Sequence, residues 1–523
     1  MSRQLVSFDT DRIKEYLFAT PALSDIRVAS AILDDLNRAQ TPAVLRSVYP
    51  DLDEDNDLIY AAGGSAMVVL PDETIADRAI RALEQLYRSE TVIATITGEK
   101  VPISDKELLS NFGGKVREVA YRLRQRKASK GRGRTLPVAP YMHFCDACSQ
   151  HPARYLDGEQ LVCRACEIKR RPETREARRG LWQKLIQVTE ERPTEPPDRW
   201  DELFQATLGK TWHLQHRRPA DFGAIGDSAH RQGYIALIYA DGNDMGRVLE
   251  KLRTQMDYRF FSENVDALLL RVTYKALMKQ VQKQPRKSLF EVLMAGGDDL
   301  MVVTTADIAL DVALALMRDF ETYSAPLMSP HGEESLSLGT GIVIAQSSFP
   351  IAAMQDLATA LQKRAKRQSF EAGGGGAIDF MVVTAAGSHR LDRLREEILT
   401  EHGFAFPPAD EREYRLTQKP YILQDLSDLI ERGRALKRSG FPNTQLQAMY
   451  EALFRSPIAA SLTAIQVIGR ARRSADINKD HRQLLLDFFC RFGAMPGPPP
   501  WRDQGAEGLD SALGDLIEIY PFI

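Results

Sequence analysis

Phe290-Glu291-Val292-Leu293-Met294-Ala295 and Leu300-Met301-Val302-Val303-Thr304 are two apolar runs separated only by Gly296-Gly297-Asp298-Asp299. The pattern predicts a strand, a tight Gly-Gly turn and a second strand, with two carboxylates at the hairpin tip. Adjacent acids between buried strands are costly unless a cation meets them. A divalent ion carrying a nucleoside triphosphate answers that cost, and oxygen ligands of this kind suit Mg²⁺ or Mn²⁺. The stretch therefore predicts a nucleotidyl-transfer site with Asp298 and Asp299 as metal ligands.

A second run points the same way. Tyr234-Ile235-Ala236-Leu237-Ile238-Tyr239-Ala240 is apolar enough for a fully buried strand and ends on Asp241. Gly242-Asn243-Asp244-Met245-Gly246 follows, then a helical pattern from Arg247. Asp241 could merely cap that helix. The strand-then-acid arrangement instead favours a third metal ligand converging with the hairpin. Gly242, Asn243, Gly296 and Gly297 are then candidates for nucleotide contact, with Asn243 and Asp244 also able to tune the loop.

The early sequence repeats this plan. Leu58-Ile59-Tyr60-Ala61-Ala62-Gly63-Gly64-Ser65-Ala66-Met67-Val68-Val69 aligns with 292–303 if one residue is missing after the glycines. Leu5-Val6-Ser7-Phe8-Asp9 supplies the strand-then-acid, and helical stretches follow both hairpins, at 74–86 and 308–323. On this alignment Ser65 and Ala66 stand where the later copy has its aspartates. One copy is built for metal chemistry and the other has lost the acids.

Cys145-x-x-Cys148, fourteen residues, then Cys163-x-x-Cys166 is the spacing of a four-thiolate Zn²⁺ site. With no open ligand position the zinc would be structural. A redox role would need one CxxC near a βαβ unit, not two paired motifs. Cys490, alone in an apolar helix, is expected in the core. Residues 115–134 hold nine Lys or Arg against one Glu, and Lys130-Gly131-Arg132-Gly133-Arg134 is either a solvated loop or a track for an RNA or nucleotide backbone. Gly209-Lys210-Thr211 lacks the upstream glycine of a phosphate loop and is discarded as one, and His213 and His216, without metal-site context, are read as surface or packing residues.

These features together resemble the large polymerase-like subunit of type III CRISPR effector complexes. The resemblance rests on the GGDD hairpin, the Asp241–Gly246 block, the opening Phe8-Asp9-Thr10-Asp11-Arg12-Ile13-Lys14-Glu15-Tyr16 and the four cysteines between the copies. It implies an α+β fold with two ferredoxin-like palm domains, the first degenerate and the second carrying GGDD. A four-cysteine zinc element and a C-terminal helical domain complete it. The expected boundaries are 1–110 for the first palm, 111–229 for the basic linker, zinc element and connector, 230–385 for the second palm, and 386–523 for the helical domain. It further implies conversion of ATP to cyclic oligoadenylate messengers in antiviral defence, with guide or target RNA and other effector subunits as partners. Residues 351–369 read as a helix with Leu357, Leu361 and Ala365 on its apolar face. Lys363, Lys366 and Arg367 lie opposite, and Lys366, then Lys363, are candidates to neutralise a triphosphate.

Members of that family often begin with an HD nuclease domain. None of the nine histidines here precedes an aspartate, so single-strand DNA cleavage is not expected. That departure makes a free-standing cyclic nucleotide synthase, possible as a homodimer, the first alternative. A diguanylate-cyclase-like enzyme is weakened by Leu300 standing where GGDEF has Glu. The non-enzymatic alternative is an RNA-complex scaffold whose palm only binds nucleotide. With 523 residues, 44% hydrophobic and 27% charged, the chain reads as globular with several domains. A net charge of −3 gives no global attraction to nucleic acid, so any RNA contact must be local. No apolar run approaches a membrane span, the N-terminus does not read as a signal peptide, and cytoplasm is the expected compartment.

Overall fold

The computed structural model describes residues 3–130, 141–175, 179–192, 200–328, 335–383, 400–402, 413–493, 497–505 and 508–523. The glycine-rich run 131–134, the prolines of 193–197 and the Leu391/Leu394 pair lie outside them. Strands β1 (Arg3–Asp11), β2 (Leu58–Ala62), β3 (Ser65–Leu70) and β4 (Thr95–Ile103) form an antiparallel sheet in the order β2-β3-β1-β4. A small hairpin, β5 (Tyr155–Asp157) with β6 (Gln160–Val162), follows. The larger sheet contains β7 (Tyr234–Gly242), β8 (Phe290–Gly296), β9 (Asp299–Thr305), β10 (Leu338–Gln346) and β11 (Ala377–Val382). Its order β11-β10-β7-β9-β8 contains the same ferredoxin-like arrangement as the first sheet, with the first strand paired to the third and the fourth. The parallel β11 and the short strand Tyr421–Ile422 extend that sheet at one edge.

Alternation along β7 explains why the second sheet is covered on both faces. Ala236, Ile238 and Ala240 join a core with the helices Gln255–Lys283 and Ala309–Met328. Ile235, Leu237 and Tyr239 join another with Met354, Leu357, Ala358 and Leu361 of the helix Ile351–Glu371. The latter helix lies very close to β10, because a side chain at Gly341 would collide with the Ala358 carbonyl. That approach fixes the height at which the helix's polar side chains meet the end of β7.

The hairpin registers correct the alignment read from sequence. In the second palm Gly296 pairs with Asp299, leaving Gly297 and Asp298 as the two-residue turn, and only Gly297 there has a positive φ, +62°. In the first palm Ala62 pairs with Ser65 around Gly63-Gly64, both at positive φ. Ala62-Gly63-Gly64-Ser65 therefore matches Gly296-Gly297-Asp298-Asp299 with no residue missing. The lost acids correspond to Gly64 and Ser65, not Ser65 and Ala66. A repeated Gly-Gly invites the wrong offset, whereas the need for left-handed backbone at the turn sets the right one. The two copies also share a left-handed residue three places after the strand-end acid, Arg12 after Asp9 and Asp244 after Asp241.

The C-terminal part is mainly helical: Leu423–Arg438, Asn443–Leu453, Pro457–Arg470, His481–Arg491 and Leu513–Ile519. It also carries a small sheet of Thr400–His402, Glu413–Arg415, Leu509–Asp510 and Arg502–Asp503. Arg434 holds both carboxylate oxygens of Asp311 at 2.9 Å and joins these helices to the second palm. Cys490, expected in the core, is exposed; its helix buries Leu485, Phe488 and Phe489 on the opposite side.

Candidate active site

Asp241 leaves the end of β7 beside the hairpin that carries Asp298 and Asp299, and the three carboxylates converge. Desolvation and then the nearby Asp241 push the Asp298 carboxyl up to about 6. Burial, followed by Asp241 and Asp298, raises Asp299 well above the usual carboxylate range. A side chain at Gly242 would meet Asp298 Oδ2, so only glycine lets the hairpin acid close on β7. Lys366 Nζ lies 2.6 Å from Asp241 Oδ2, and Gln362 Nε2 donates to the same oxygen at 3.0 Å. The Tyr239 hydroxyl donates to Asp299 Oδ1 at 3.4 Å. A cluster of half-buried, mutually repelling acids, already drawing in one ammonium group, is suited to divalent cations.

Other sequence candidates fall around this cluster with differing roles. Lys363 is exposed one helical turn before Lys366, close enough to Lys14 for mutual repulsion. The Asn243 amide donates to Ser337 Oγ at 2.9 Å, Ser369 Oγ at 3.1 Å and the Gly375 carbonyl at 3.3 Å, so its visible work is clasping the loop. Gly296 and Gly297 lie against the first palm: a side chain on Gly296 would stand 3.0 Å from Gly63 Cα.

Sequence reasoning missed the brace behind the turn. The Gly297 N–H donates to Asp266 Oδ1 at 2.8 Å, and Arg38 of the first palm grips both Asp266 oxygens at 2.8 and 2.7 Å. Lys184 of the connector donates to Asp34 Oδ1 at 3.0 Å and to the Ala295 carbonyl at 2.5 Å. Burial would raise the Asp266 pKa, but Lys184 and Arg38 outweigh it and hold the carboxyl below its ordinary range. Gln362 and this brace left no motif, and the block containing Lys14 gave no sign of its place in the second palm's site, because these positions depend on helix phase and on docking of the two palms.

Residues 234–371 match the family model described as Cas10/Cmr2, second palm domain. This segment is similar to a Cas10/Cmr2 second palm. The resemblance to the polymerase-like large subunit of type III complexes thus stands on the fold as well as the motifs. Csm1 of T. onnurineus superposes with a TM-score of 0.58 at 15% identity, covering 99% of this chain and 70% of that one. A chain of the Csm1–Csm4 cassette solved with cA4 gives 0.57 at 15% identity, covering 94% and 70%. Against the cassette solved with AMPPNP the chain covers only 53% of its counterpart, with a TM-score of 0.47 at 16% identity. The chain therefore spans between about half and 70% of the length of these relatives. No curated protein matches it by sequence.

The contrast between the Cas10/Cmr2-type palm and the degenerate one is electrostatic. Asp9, the counterpart of Asp241, is paired with Lys127, whose ammonium also lies 2.9 Å from Asp11. A lysine meets the strand-end acid in both palms, Lys127 on Asp9 and Lys366 on Asp241, but only the second palm adds two hairpin acids beside it. Lys127 belongs to the basic stretch singled out in the sequence, and much of that stretch is likewise spent internally. Arg126 and Lys130 meet Glu84, Lys115 and Arg122 meet Glu118, and Arg117 meets Glu250.

The four cysteine sulfurs lie within 4.8 Å of one another and all four residues are buried. Cys148 and Cys163 Sγ are 3.8 Å apart, close to the sulfur spacing of a tetrahedron with Zn–S bonds of about 2.3 Å. The cluster could hold zinc. It packs with Tyr16, Leu17 and Phe18 of the first palm against the second palm's sheet. His213 and His216 are packing residues: His216 stacks on Phe290 at 4.1 Å, and desolvation lowers its pKa to about 3. Among the described residues no helix is long and apolar enough to cross a membrane.

Proposed function

We propose that this chain is a metal-dependent nucleotidyltransferase that joins ATP into cyclic oligonucleotides, as the large subunit of a type III CRISPR-like antiviral complex. The observation that carries this reading is the convergence of Asp241, Asp298 and Asp299, two of them with strongly raised pKa values, in a Cas10/Cmr2-type palm. Mg²⁺ or Mn²⁺ held by these acids would neutralise a triphosphate and acidify a ribose hydroxyl. Lys366 and Gln362 orient Asp241, and Lys366 and Lys363 offer cationic contacts to phosphate. Gly242, Gly296 and Gly297 let the hairpin acids close on β7 and on the first palm, beside the proposed nucleotide, and Asn243 keeps the loop in place. The hydroxyl oxygen bonds to the α-phosphorus as the α–β bridging bond breaks. The electron pair leaves with pyrophosphate, and the hydroxyl proton passes to solvent.

Adenine as the base is supported by related folds solved with cA4, pppApA and one ATP. Other effector subunits and RNA are proposed partners, since the related Csm1 is solved with Csm4 in a type III-A interference subcomplex. Zn²⁺ on Cys145, Cys148, Cys163 and Cys166 is proposed as purely structural. The test is mass spectrometry of products formed by purified protein with ATP and Mn²⁺, with and without RNA. Cyclic oligoadenylate is the expected product. Its absence under both conditions would reject the enzymatic reading, and full yield without RNA would favour a free-standing synthase.

A further inference from the structure

Lys14 belongs to the first palm, on the short helix Ile13–Leu17 that follows β1, yet its side chain lies in the second palm's acidic site. Its ammonium donates to Thr359 Oγ1 at 2.6 Å and stands 4.5 Å from the centre of the Tyr239 ring. With the Gln355 amide turned to the orientation that satisfies both its ends, its oxygen accepts from the ammonium at 3.1 Å. Among the described residues these partners are neutral. Beyond them sit Asp299 and Asp241, which attract the ammonium while burial lowers its pKa. Thr359, Lys363 and Lys366 share a face of the helix Ile351–Glu371, so Lys14 adds to a row of cations beside three acids. The repeat sharpens the point: the residue five places after Asp241 is Gly246, five after Asp9 is Lys14. Only the degenerate palm carries the lysine, and it projects into the other palm's site.

A half-buried ammonium on neutral acceptors has an obvious stronger partner. Phosphate oxygens would give it charge-assisted hydrogen bonds in a site where low polarity strengthens them. We propose that Lys14 binds the phosphate chain of the nucleotide held by the second palm. The inference rests on the nucleotide reading above, but it concerns binding and can fail separately.

The test uses the full chain and calorimetric titration of AMPPNP with Mn²⁺, and of Mn²⁺ alone, into the parent, Lys14→Gln and Lys14→Arg. Glutamine keeps a polar donor and removes the charge; arginine keeps the charge. Lys14→Gln should weaken Mn²⁺–AMPPNP about tenfold, the worth of one charge-assisted contact. It should leave Mn²⁺ alone bound as tightly or more tightly, since a cation near Asp299 has gone. Lys14→Arg should recover most of the loss. Equal AMPPNP affinity in Lys14→Gln and parent, with both melting normally, would overturn the proposal. So would joint loss of Mn²⁺ and nucleotide binding without rescue by arginine, which marks a packing role. A parent that makes no product from ATP but loses AMPPNP affinity through Lys14→Gln would reject nucleotidyl transfer and keep Lys14. A parent that does not bind AMPPNP would overturn both.

Discussion

Asp298 and Asp299 illustrate how far one pair of side chains can be read. Two acids between apolar strands are visible in any sequence, and the cost of burying them is general physics. Their raised pKa values turn that cost into a pH dependence. The folded Asp298 titrates near 6, above its ordinary 3.8, so the metal-free folded chain binds more protons than the unfolded one in between. Stability from this group is present at low pH and lost as pH rises through 6. An Asp298→Asn/Asp299→Asn variant should accordingly melt above the metal-free parent at pH 7.5, and the gap should shrink by pH 5. Mn²⁺ should raise the melting temperature of the parent but not of the variant. Fluorimetric melting across that range checks both statements, and a gap independent of pH would count against buried, repelling carboxylates. The places of Lys14 and Gln362 were not legible, because a lysine or glutamine on a helix carries no sign of which neighbouring palm or strand end it will face.

The elements were more legible than their register. Strand, hairpin and helix order follow from apolar periodicity and the glycine pairs, but the Gly-Gly strings allowed a one-residue error that backbone conformation resolved. The hairpins also meet each other, which neither predicts alone. A side chain at Gly63 would stand 2.9 Å from the Gly296 carbonyl, and φ is +63° there. Gly63→Ala should therefore cost roughly 1–3 kcal/mol through strain and forced separation. Denaturant unfolding measures it; a neutral result would mean that the palms tolerate a gap at their tips. The brace behind the turn should matter more. Asp266→Ala removes the acceptor of the Gly297 N–H and leaves Arg38 without its bidentate partner. Asp266 is buried but the Arg38 side chain is 33% exposed, so the loss lies at the low end for a buried pair, about 3 kcal/mol. The same unfolding experiment should rank Asp266→Ala below Gly63→Ala in stability.

At the scale of the whole molecule, two ferredoxin-like sheets meet through their hairpins, and the cysteine cluster shares a core with helices of the first palm and the sheet of the second. The CxxC spacing was legible because four thiolates have few other uses. What the basic stretch does was not, since most of its acid partners, Asp9, Asp11, Glu84 and Glu250, lie in distant segments. The cluster's position predicts a structural dependence: about one Zn²⁺ per chain by elemental analysis, and lower solubility with a looser first palm in Cys163→Ser. Zinc-free protein that melts like the parent would remove that dependence. The central claim concerns chemistry at the palm junction. Its most direct test compares the parent with Asp298→Ala/Asp299→Ala, each given ATP and Mn²⁺ with RNA, by mass spectrometry of the products. The account predicts cyclic oligoadenylate from the parent and none from a variant that remains folded. Equal product from both would contradict it.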